Sequence, residues 1–161
     1  MTTLAENPFA VLTLIAAPAV FTNASSVLAL GTGNRLGRVV DRTRYLAHEL
    51  HSSQIRDETT QLWVDHLGRL EQRGALLVRA MSFFYGAIGA FAAASLVSIL
   101  GASLAGFAIP LAFAPIALIS FIAGTVGFAG LVVGCTLLVR ETRLALRAMS
   151  DEAELAKRWA K

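Results

Sequence analysis

The sequence predicts an all-α integral membrane protein with three transmembrane helices, and three observations carry that expectation. Hydrophobic residues fill 55% of the 161 positions and charged residues 16%, too apolar and too unevenly charged for an ordinary soluble domain. Residues 80–139 contain no Asp, Glu, Lys, Arg or His, a run long enough for two crossings of a hydrocarbon core that takes about 20 apolar residues each time. All 14 Lys and Arg lie in two blocks, 35–79 and 140–161, on either side of that run.

Span 1 is expected over 8–31, an uncharged stretch from Pro8 to Gly31. The residues ahead of it hold one acid, Glu6, and no base, so it lacks the basic start of a secretory signal and reads as a retained span. Spans 2 and 3 are expected over 80–104 and 110–139, with a turn where Gly101, Gly106 and Pro110 weaken a continuous helix. Basic residues beside span ends stay in the cytoplasm, which places both blocks inside, the N-terminus outside and the C-terminus inside. The net charge of +3 reads as a topology signal and an attraction to anionic lipid headgroups. No interleaving of aromatic and basic residues points to nucleic acid.

Between spans 1 and 2, Val39, Arg42, Tyr45 or Leu46, and Leu50 recur at helical intervals until the pattern breaks at His51-Ser52-Ser53-Gln54. Asp57-Glu58 suits a new helix N-terminus, and Leu62, Leu67, Leu70 and Leu77 lead into span 2. Residues 35–79 are therefore expected to form an antiparallel helical hairpin standing on the membrane and extending spans 1 and 2. In the tail, 140–161, Leu144, Ala148, Leu155 and Trp159 share one side of a helix. Ser150-Asp151-Glu152 is expected to cap and restart a C-terminal amphipathic helix there, either interfacial or packed on the hairpin. The whole chain, 1–161, reads as a single membrane domain.

The chemistry-bearing patterns are sparse. Gly31-Thr-Gly33-Asn-Arg-Leu-Gly37 has the wrong spacing for a dinucleotide loop and follows a helix where the fingerprint needs a strand. His48-Glu49-Leu50-His51 is one residue short of a zinc motif, and His66 falls opposite Tyr45 rather than opposite the pair. The lone Cys135 lies within span 3, so no intrachain disulfide forms. No catalytic set, cofactor or metal site is expected, and the protein reads as a non-enzyme. Asp41 is expected to pair along its helix with Arg38, Arg42 or Arg44 in a cytoplasmic collar that also includes Arg35. Gly86, Ala90, Ala94, Gly130 and Gly134 form small-residue tracks suited to close helix packing.

Span 1 carries a small, polar face that includes Thr22, Asn23 and Ser26. Thr22 and Ser26 can satisfy themselves on their own helix carbonyls, which leaves Asn23 in need of a partner or water.

The element Asn34-Arg35-Leu36-Gly37-Arg38-Val39-Val40-Asp41-Arg42, following Ala17-Pro18-Ala19-Val20, and the later Arg140-Glu141-Thr142-Arg143 carry a resemblance over roughly residues 17–149. The chain resembles an uncharacterised bacterial membrane protein family, domain of unknown function 2721. That resemblance implies a small three-helix protein of the bacterial inner membrane and no particular activity. Two functions then compete. One is a structural or scaffold protein that uses the polar face of span 1 for helix–helix association in a homo-oligomer within the lipid bilayer. The other is an oligomeric pore lined by Thr22, Asn23 and Ser26, leaning toward anions because arginines ring its inner mouth.

Overall fold

A computed structural model describes the backbone of residues 8–52, 57–105 and 110–159 and the side chains of 16–51, 64–103 and 115–150. The described chain is all-helical: α1 spans Pro8–Ser52, α2 spans Asp57–Ala105 and α3 spans Pro110–Trp159. Residues 53–56, within the expected pattern break, and 106–109, within the expected turn before Pro110, lie outside the described residues. Pro110 opens α3, where its missing N–H costs no intrahelical bond.

Two helices, over Val64–Ser103 and Pro115–Ser150, are long and apolar enough to cross a membrane. The start of span 1 falls among side chains outside the described residues, as do Leu62, Leu155 and Trp159.

One expectation is overturned. No break separates span 3 from the tail, because α3 runs unbroken past residues 150–152 to Trp159. Ser150 does not cap a new helix; its hydroxyl donates to the carbonyl of Leu146 one turn back, at 3.1 Å. Residues 140–159 contain neither Gly nor Pro and are rich in Ala, Leu, Arg and Glu, so nothing in them stops a helix already running.

The chain divides into two compact units, Met1–Ala29 with Ser82–Val133 and Leu30–Met81 with Gly134–Lys161. In the first, Phe21 of α1 stacks on Phe91 of α2 at 5.4 Å between centroids and meets Phe128 of α3 edge-on at 6.0 Å. Such offset and edge geometries suit the ring quadrupoles. Phe91 lies so close to α3 that a Cβ on Gly127 would come within 2.9 Å of its ring, and a Cβ on Gly130 would meet the carbonyl oxygen of Phe83 at 3.4 Å. In the second unit, Val39 and Leu46 of α1 pack with Leu70 and Leu77 of α2 in one core cluster, flanked by Leu36, Leu67 and Leu138.

Each helix buries every seventh position along a seam. In α1 these are Ser25, Thr32, Val39 and Leu46; in α2 they are Leu70, Leu77, Phe84, Phe91 and Ser98. In α3 they are Ser120, Gly127, Gly134 and Glu141. A repeat of 3.5 residues per turn keeps one seam turned toward the neighbouring helices along its length.

Candidate functional site

The seam of α3 ends in an acid. Glu141 is the only carboxylate between Gln72 and Ser150, and its side chain is 3% exposed. Burying a carboxylate costs several kcal/mol unless opposite charge and hydrogen bonds compensate it, so its surroundings are decisive. Arg73 of α2 supplies both: its Nε donates to Oε1 at 2.9 Å and its Nη2 approaches the same oxygen at 2.8 Å. Arg35 of α1 brings Nη1 to 3.5 Å from Oε2. The same nitrogen donates to Thr142 Oγ1 at 3.2 Å, and that hydroxyl donates in turn to the carbonyl of Leu138. One carboxylate thus joins a guanidinium from each of the other two helices.

Around this cluster lies a partly open cavity of about 520 Å³. Arg35, Arg38, Arg42 and Arg73 line it, with Glu141 as its one acid and Thr142 as its hydroxyl. Val39, Leu70, Ala145, Leu146 and Met149 make the rest of the wall. Arg35, Arg38 and Arg42 reach it together because steps of three and four residues return to one helix face. Arg42 also lies over the ring of Tyr45, 5.6 Å from its centroid.

Of the expected collar, Arg35, Arg38 and Arg42 come together here and Asp41 does not: it is exposed and outside the cavity wall. Among the described residues Asp41 makes no ion pair, and the one collar arginine with an acidic partner, Arg35, meets Glu141 from α3 rather than a neighbour on α1. The sequence reading did not place Arg73, Glu141 or Thr142 at this site, although Glu141 and Thr142 belong to the Arg140-Glu141-Thr142-Arg143 element that carries the family resemblance. The isolation of Glu141, one acid in a stretch of nearly 80 residues, was the available signal.

In the other unit, Thr22 Oγ1 donates to the carbonyl of Pro18 and Ser26 Oγ to that of Thr22, each at 2.9 Å. Asn23 is exposed. Ser25, one position from Ser26, is fully buried, and its hydroxyl has no partner among the described residues. A second buried polar site joins α2 and α3: Ser120 Oγ donates to the carbonyl of Ala94 at 3.0 Å and lies 2.6 Å from Ser98 Oγ. Ser120 has a single proton, already committed to Ala94, so Ser98 is the donor between the hydroxyls. Of the small-residue tracks, Ala94 and Gly134 are buried, Ala90 is half-buried and Gly130 abuts Ala87, while Gly86 faces open space. Among the described residues no group of His, Cys, Asp and Glu is arranged to hold a metal ion.

The fold and the cluster define a class: a three-helix protein with two helices long and apolar enough to cross a membrane and a buried acid–arginine junction. The family model described as Protein of unknown function (DUF2721) matches residues 15–150, and the chain belongs to that family. No curated protein and no solved structure matches it.

Proposed function

We propose that this is a non-enzymatic, multi-pass structural protein of the bacterial inner membrane. It crosses three times with the N-terminus outside, and its copies associate through α1. Membrane residence is supported by exposure: only 28% and 11% of the most apolar windows of α2 and α3 are buried, whereas a soluble core helix would be mostly buried. Association is carried by Asn23, exposed on α1 near Val20 and Val27, which are 66% and 62% exposed. An amide facing hydrocarbon without a partner costs several kcal/mol. The same amide on a second copy removes that cost, and an interhelical bond of this kind contributes about 0.6 to 2 kcal/mol.

The test is the oligomeric state of the full chain in mild detergent. An oligomer that dissociates more readily in the Asn23→Leu variant is expected; a monomeric wild type, or a variant that associates unchanged, overturns the reading. The exposure of Ser26 one turn from Asn23 favours a second arrangement, in which copies place this face around a water-filled pore with the arginines at its inner mouth. Anion flux into liposomes that Asn23→Leu alters would select the pore; an oligomer without flux selects the scaffold.

A further inference from the structure

The arginine cavity holds more positive charge than its acid neutralises. Four guanidinium groups face one carboxylate, and that carboxylate is already engaged on both oxygens by Arg73 and Arg35. Arg38 and Arg42 are exposed and have no acidic partner among the described residues. Guanidinium forks match the oxygens of a phosphate, and like charges gathered in one concavity repel unless an anion enters. We infer that the cavity is a binding site for a phosphate-bearing ligand, with Arg38 and Arg42 as its principal charge partners and Arg35 reaching it from the edge of the Glu141 pair.

Glu141 sets the selectivity of the site. By holding Arg73 and Arg35 it keeps the deep end occupied and leaves the entrance cationic, so an incoming anion meets the shallow arginines without displacing a buried ion pair. The wall also carries apolar side chains, of which Leu146 and Met149 are 60% and 66% exposed. A cavity of about 520 Å³ lined by both arginines and apolar side chains suits a phosphate joined to a glycerol or another carbon skeleton better than a bare halide. A phospholipid headgroup and a soluble organic phosphate both present this chemistry. The inference is independent of how copies associate through α1, since every residue involved belongs to the second unit.

The experiment is a thermal-shift titration of the full chain in neutral detergent with two probes. One is inorganic phosphate, and the other is phosphatidic acid in mixed micelles against phosphatidylcholine alone. A rise in Tm with either probe supports the site; a response to inorganic phosphate points to a soluble source, and a response to phosphatidic acid alone points to a lipid. The double variant Arg38→Gln/Arg42→Gln is expected to weaken the apparent affinity by about tenfold, the scale of losing charge-assisted hydrogen bonds. The double variant Arg44→Gln/Arg147→Gln removes the same charge outside the cavity wall and is expected to keep wild-type affinity. Absence of a shift with both probes, unchanged affinity in the first variant, or equal loss in the second overturns the inference.

Discussion

At the residue scale, Glu141 and Arg73 are unequal partners of the same bond. The Glu141 side chain is 3% exposed and that of Arg73 25%, so losing the arginine strands a charge in the interior, whereas losing the carboxylate leaves a cation that can still reach water. Arg73→Ala is therefore expected to destabilise the fold by about 3 kcal/mol and Glu141→Gln by less, since the amide keeps an acceptor in place. Arg35→Ala, from a side chain 47% exposed, should cost under about 1 kcal/mol. Thermal unfolding of the three variants in one detergent checks the order, and a larger loss for Arg35→Ala than for Arg73→Ala would contradict it. The arginines of the α1 face were legible because their spacing is local. Their acid was not, because it comes from a helix more than a hundred positions later.

At the element scale, the helices and their ends were readable in outline, while the faces they bury were not. The seam positions Ser25, Thr32, Ser120, Gly127 and Gly134 are small or polar, so hydrophobic periodicity passes over them. Lipid tails are as apolar as leucine, and apolarity therefore does not distinguish the inward side of a membrane helix; size and hydrogen bonding do. The four-residue tracks took in Gly86, which faces open space, and missed Gly127, which receives the Phe91 ring. Gly127→Val should accordingly destabilise by about 1 to 3 kcal/mol through overpacking, while Gly86→Val, with nothing within 4 Å of its Cβ, should cost far less. Denaturation of the two variants side by side measures the difference, and equal effects would count against the close approach of α2 and α3 at Gly127. The tail was misread for a related reason: Ser-Asp-Glu signals a helix start only where the chain is not already helical, and Ser150 turns back to Leu146 instead.

At the scale of the whole molecule, the proposed topology, which rests on charge distribution, can be examined directly. With Cys135 replaced by Ala, a cysteine introduced as Ser53→Cys is expected to react with an impermeant thiol reagent only from the cytoplasmic side, and one introduced as Ala108→Cys only from the opposite side. Labelling of both from one side would overturn the three-crossing arrangement. Composition announced an apolar helical protein, but not its division into two units, because that depends on which residues meet and no local pattern records it. The junction at Glu141 also bears on the order in which the chain is made. The helices that carry Arg35 and Arg73 leave the ribosome before the one that carries their shared acid. Until some 140 residues have been synthesised, those two cations have no native counter-ion, and water or phosphate must screen them in the interim. Only the last helix supplies that counter-ion, so a chain truncated ahead of Glu141 keeps both arginines and lacks the group that joins them.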